Sequence, residues 1–95
     1  GERILAADLV VLDVGGRPSV PDLPGFADPA VLTSTTILEL DALPEHLIVV
    51  GGSYIALEFG QMFRRFGSRV TIVNRGDRLL GKEDPEIADA VAAIL

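Results

Sequence analysis

HLIVVGGSYIALEFGQMFRRFGSRVTIV, residues 46–73, is the stretch that decides the fold. It opens with a short, largely β-branched run ending in Gly51 and Gly52. Residues 53–66 then repeat apolar side chains at helical spacing, with Ile55, Phe59, Met62, Phe63 and Phe66 on one face. Arg64 and Arg65 fall in the last turn, where the helix dipole favours cations, and Gly67 suits the residue that ends a helix. Residues 69–73, RVTIV, read as a second strand. This order predicts parallel strands over Leu47–Val50 and Val70–Val73, joined by a right-handed crossover, with the helix packed across them. The expected buried residues of the helix are Ile55, Phe59, Met62 and Phe63. Downstream, Asp84 and Pro85 predict the N-cap and first position of another helix, with Ile87, Val91 and Ile94 as its apolar stripe.

Upstream the signals are mixed. Residues 7–14, ADLVVLDV, predict a strand buried on both faces, interrupted by Asp13. Residues 15–30 hold three glycines and four prolines, so they read as an ordered turn or linker. Residues 31–43 are ambiguous; Thr36 and Glu39 have the spacing of a capping box for a short helix, with Pro44 beyond it.

Composition narrows the function classes. Eight Lys plus Arg against fourteen Asp plus Glu give a net charge of −6, which argues against nucleic acid and anionic membrane as partners. With no Cys there is no disulfide framework, thiolate metal site or cysteine nucleophile. No apolar run approaches the roughly 18 residues of a membrane span. No metal-ligating set stands out, and the single histidine, His46, reads as a surface or packing residue. A core-like composition in 95 residues that begin at Gly1 suggests a piece of a larger enzyme, although a processed or tagged start would look the same.

The glycine turn carries the chemistry. A dinucleotide fingerprint, G-x-G-x-x-G/A, lies between a strand and a helix. Its first glycine permits the turn, its second lets backbone approach the pyrophosphate, and its third position allows close helix–strand packing. Here those positions are Gly51, Ser53 and Ala56. Ser53 departs from the pattern, but its hydroxyl is able to donate to a phosphate oxygen. Gly52, Tyr54 and Ile55 complete the segment, and the N–H groups at the helix start supply an anion site. The fold reads as α/β, a Rossmann-like βαβα unit. The same residues also suit a tight βα turn that holds no ligand.

The end of the second strand addresses the ribose. An NAD site places an acid there; an NADP site drops the acid and adds arginine. Asn74 stands in the acid's place, with Arg75 and Arg78 after it, so NADP is expected over NAD. Both arginines would look the same as ordinary solvated loop charges.

GGSYIALEFGQMFRRFGSRVTIV resembles the NAD(P)-domain entry of the flavin-dependent pyridine nucleotide–disulfide oxidoreductases. VGGRPSVPDLPG is similar to the family's A-T-G-S-x-P motif and the turn after it, and the connection LTSTTILELDALPEHLIVVGG and the segment EDPEIADAV also resemble the family in order. The Ser in GGSYI and the run QMFRRFG are most similar to the mercuric-reductase-like branch. The resemblance implies residues 1–43 as the end of an FAD-domain segment with its connector, and 44–95 as the first half of a nicotinamide domain. It implies FAD and NADPH as cofactors in a cytoplasmic homodimer, with Gly15 approaching FAD and Tyr54 gating the flavin. Glu58 would pair with a flavin-site lysine near the nicotinamide; its place near a helix start also suits a simple dipole contact. Asp13, Val14 and Gly16 depart from the family's commoner residues at the flavin contact.

Two functions are therefore expected to compete. One is an oxidoreductase segment that binds dinucleotide pyrophosphate and ribose while the redox chemistry lies elsewhere in the enzyme. The other is a non-catalytic nucleotide-binding regulatory module. The Gly15–Gly25 segment and Glu58 favour the first.

Overall fold

The computed structural model describes residues 1–95. Strand β1 spans His46–Val50, helix α1 Tyr54–Phe66, strand β2 Arg69–Val73 and helix α2 Pro85–Ile94, with a 3-10 turn at Thr36–Glu39 before them. The two strands pair in parallel, from His46 opposite Arg69 to Val50 opposite Val73. The protein is thus a small α/β unit with the expected βαβα order. No helix is long and apolar enough to cross a membrane.

Local chemistry explains the element ends. Gly67 stops α1 with φ of 110°, and its N–H returns to the Arg64 carbonyl. The buried Ser68 hydroxyl donates to the Pro44 carbonyl at 2.6 Å, and the Arg69 N–H donates to the Glu45 carbonyl at 2.9 Å. These two bonds align the starts of both strands. Asp84 caps α2 by accepting from the Glu86 N–H at 2.9 Å, with Pro85 at the first helical position. His46 is half-buried on β1, in contact with Thr71 and Arg69 of the neighbouring strand.

Two small apolar clusters hold the unit together. Ile37, Leu47 and Phe63 form one, with Leu32, Val49, Phe59, Met62 and Val70 packed around it. Leu57, Leu80 and Ala88 form the other, backed by Ile72, Leu79 and Val91. The 3-10 turn of the connector therefore packs on the same core as β1 and α1.

The buried face of α1 differs from the expected one. Ala56, Leu57, Gly60 and Phe63 are buried; Phe59 and Met62 are half-buried; Ile55 and Phe66 are exposed. The helix lies so near β2 that a Cβ at Gly60 would sit 3.4 Å from the Ile72 Cδ1 atom. Small residues mark the line of closest approach, and bulkier ones flank it. The same correction applies to α2: Ala88 is its buried residue, Val91 is half-buried, and Ile87 and Ile94 are exposed.

Two further expectations are corrected upstream. Residues 7–14 form no strand; Val11 is 80% exposed and Leu12 81%. Residues 1–20 take part in no backbone–backbone hydrogen bond, because no strand lies beside them. The Thr36–Glu39 capping box does not form: Thr36 is the first residue of the turn, Thr35 before it makes no side-chain capping bond, and Thr33 bonds to Thr36 instead. The Thr33 Oγ1 atom accepts from the Thr36 N–H at 3.2 Å, and the Thr33 N–H donates to the Thr36 Oγ1 atom at 2.9 Å.

The uncovered arm shows in the dimensions. The accessible surface is 8369 Å², against about 5,300 Å² for a closed monomer of this mass. The radius of gyration is 17.7 Å, against about 12 Å for a compact domain of this length.

Candidate functional site

The cleft lies where β1 and β2 end and α1 begins. Its volume is about 630 Å³, and it is lined by Val50, Gly51, Gly52, Ser53, Tyr54, Val73, Asn74, Arg75, Gly76, Arg78, Leu80, Gly81, Lys82 and Glu83. It therefore brings together Gly51, Gly52, Ser53 and Tyr54 from the first loop with Asn74, Arg75 and Arg78 from the second. Ile55 and Ala56 follow in the first turn of α1 without lining the cleft. Ala56 is buried, in keeping with the close-packing place of the fingerprint. Gly15 and Glu58 lie outside the cleft, both exposed.

The turn has a backbone reason for its glycine. Gly51 takes φ of 118°, a conformation L side chains rarely adopt, and its N–H donates to the Val73 carbonyl at 2.9 Å. That bond closes the base of the cleft. Ser53 is the N-cap of α1, yet its side chain makes no capping bond. The first-turn N–H groups lack intrahelical acceptors by construction, and no acidic residue stands in that turn. Positive dipole, open donors and an uncommitted hydroxyl together suit an anion.

The second loop folds back over the turn. The Leu80 N–H donates to the Gly52 carbonyl at 2.7 Å, and Leu80 has φ of 53°. That left-handed residue is held by its buried side chain against Leu57 and Ala88. Asn74 donates to the carbonyls of Gly76 at 3.0 Å and Arg78 at 2.9 Å. The Arg78 Nε atom lies 3.3 Å from the Asp89 carboxylate, so its guanidinium is shared with α2. Arg75 is exposed and makes no ion pair. Lys82 also lines the cleft, a cation that sequence reasoning missed. Its signal was present, since it is the next basic residue after Arg75 and Arg78 in the same polar loop.

The electrostatics run against the molecule as a whole. The net charge is −6, yet the cleft wall carries Arg75, Arg78 and Lys82 against one acid, Glu83. A locally basic cleft in an acidic chain is suited to an anion at one place.

A second depression, about 590 Å³ and mainly apolar, separates the connector from β1, with Pro18, Val20, Phe26, Ile37, Val49 and Phe59 among its walls. No lysine or arginine lines it.

Comparison with known proteins fits this arrangement. A family model described as pyridine nucleotide-disulphide oxidoreductase matches residues 1–95. Mercuric reductase of Lysinibacillus sphaericus is 42% identical over 91 residues, covering 96% of this chain and 17% of that protein. Probable pyridine nucleotide-disulfide oxidoreductase RclA of Escherichia coli strain K12 is 41% identical over 96 aligned positions, which span 100% of this chain and 22% of RclA. A solved structure, the Cu(II) complex of the HOCl-induced flavoprotein disulfide reductase RclA from Escherichia coli, superposes with a TM-score of 0.75 at 46% identity. It covers 84% of this chain and 19% of that one. The chain thus spans about a fifth of the length of these relatives, and it belongs to the pyridine nucleotide-disulphide oxidoreductase family.

Proposed function

We propose that this chain is the nicotinamide-side segment of a flavin-dependent NAD(P)H oxidoreductase, and that its cleft holds the pyrophosphate and 2′-phosphorylated ribose of NADPH. The bound cofactors supply the redox chemistry, a hydride from NADPH through FAD to a disulfide or other acceptor. The residues of this chain bind and orient. Gly51 gives the turn its shape, and the N–H groups of the first turn of α1, with the Ser53 hydroxyl, face the pyrophosphate. Tyr54, which lines the cleft and is 61% exposed, would gate the flavin. Arg75 leads the 2′-phosphate contact, with Arg78 and Lys82 in support.

The observation that carries this reading is the charge pattern at the end of β2. Asn74 rather than a carboxylate directly follows Val73, and three cations line the same cleft as a helix N-terminus. A 2′-hydroxyl would lack its usual acidic partner there, whereas a 2′-phosphate finds guanidinium groups.

FAD enters on family grounds. Gly15 and Glu58 line neither of the two depressions described above. In this reading residues 1–43 close the flavin-side segment and 44–95 open the nicotinamide domain of a cytoplasmic homodimer. Glu58 would meet a lysine outside this chain and hold the nicotinamide near the flavin. A non-catalytic nucleotide-binding module would use the same cleft. The family match across residues 1–95, arm and connector included, favours the oxidoreductase.

Calorimetric titration of the full-length protein with 2′,5′-ADP and with 5′-ADP tests the reading. A charge-assisted contact is worth about 1.5–3 kcal/mol, so 2′,5′-ADP should bind at least about tenfold tighter. Equal affinities would reassign the cleft to NAD.

A further inference from the structure

We infer that Asn74 is a positioning residue for 2′-phosphate selectivity, acting through Arg75, rather than a ligand of the ribose. The inference rests on the NADPH reading of the cleft.

Asn74 occupies the place where a ribose-binding acid would stand, but its amide is already committed. A side-chain amide has two N–H donors. Here Nδ2 donates to the Gly76 carbonyl at 3.0 Å and the Arg78 carbonyl at 2.9 Å. Both donors are spent on the loop, so a ribose hydroxyl could meet only the Oδ1 acceptor. The other edge of the amide lies against Gly52: a Cβ built there would sit 2.8 Å from the Asn74 Cγ atom and 2.9 Å from Oδ1. A side chain at Gly52 would run into the Asn74 amide and, at 3.0 Å, the Leu79 Cδ2 atom. The Gly52 φ is not positive, so backbone conformation does not itself require glycine there.

The loop is therefore pinned at both ends to one glycine. Asn74 packs on Gly52 at the start, and the Leu80 N–H holds the Gly52 carbonyl at 2.7 Å at the finish. Arg75 sits inside this closed loop, between the residue that gives the two hydrogen bonds and the first carbonyl that receives one. Its backbone is fixed while its side chain stays exposed and without an ion pair. An aspartate at 74 would present oxygen to the same two carbonyls and have nothing to donate. Asparagine thus does two things together: it removes the acid that favours a 2′-hydroxyl, and it closes the loop that carries the arginine. Small displacements of a positioned charge cost large factors in recognition.

The test is a double-mutant cycle in the full-length flavoprotein, with steady-state kinetics for NADPH and NADH. Asn74→Leu keeps the bulk and deletes both donors; Asn74→Ala serves as a second variant if the first does not accumulate with bound flavin. The expected result is a rise of about tenfold in KM for NADPH, the size of one charge-assisted contact, with KM for NADH moving less than about twofold. In an Arg75→Ala background the Asn74 substitution should change the NADPH-to-NADH ratio no further. A parallel rise in both KM values, or a loss that adds in full to that of Arg75→Ala, overturns the positioning role. If Arg75→Ala alone leaves KM for NADPH unchanged, the NADPH reading falls and the Asn74 inference with it. A purely structural residue would lower stability and affect both cofactors alike.

Discussion

Residues 9–14, LVVLDV, and residues 46–50, HLIVV, are near-equivalents in composition, yet one is exposed chain and the other a strand. Both are rich in Val and Leu or Ile, and both precede glycines. The difference lies in what stands beside them. His46–Val50 has β2 for a partner at every position and α1 across one face. Leu9–Val14 has no neighbour to take its N–H and C=O groups, and its side chains face solvent. Strand propensity describes a surface that fits a sheet, and it becomes a strand only where a sheet is present.

The largest test of that contrast is a pair of truncations in the 95-residue chain. Leu47 is buried against Ile37 and Phe63, so Leu47→Ala should cost about 2–5 kcal/mol in urea unfolding. Leu12→Ala should stay within about 0.5 kcal/mol, as for surface sites. The same Leu12→Ala in the full-length protein should become clearly destabilising if a neighbouring segment covers the arm there. Equal costs in the 95-residue chain would break the comparison.

A smaller effect probes the turn rather than the strands. Gly51 has φ of 118° with open space around its Cα. Gly51→Ala should therefore act through backbone strain alone, at about 1–3 kcal/mol. Thermal unfolding checks it, beside Gly15→Ala in the arm. Gly15 also has positive φ, at 71°, but no backbone hydrogen bond fixes it there, so that substitution should leave the midpoint almost unmoved.

The βαβ order was legible because two different periodicities meet at a glycine turn, and local rules govern each of them. Which face of α1 is buried was harder to read. Large side chains dominate a count of apolar positions, so Ile55 and Phe66 drew attention. The packing line instead includes the small, buried Ala56 and Gly60, and at Gly60 the helix comes close to Ile72 and Val70. The candidate cleft was legible where the fingerprint names residues, at Gly51, Ser53 and the arginines after β2. The closure of the second loop was not. Asn74 bonds to backbone carbonyls, which every residue possesses, and Leu80 reaches its left-handed conformation through packing on Leu57 and Ala88. Neither leaves a mark in the pattern of residue types. The proposed roles of Gly15 and Glu58 concern partners that lie outside these elements, so their test belongs to the whole protein.

The central claim is that the cleft at the end of β2 recognises a 2′-phosphate through Arg75. Steady-state kinetics of Arg75→Ala in the full-length protein, with NADPH and NADH in parallel, test it most directly. Loss of one charge-assisted contact of about 1.5–3 kcal/mol should raise KM for NADPH by about tenfold or more and leave NADH nearly unchanged. Equal changes with the two cofactors, or none with NADPH, would contradict the claim.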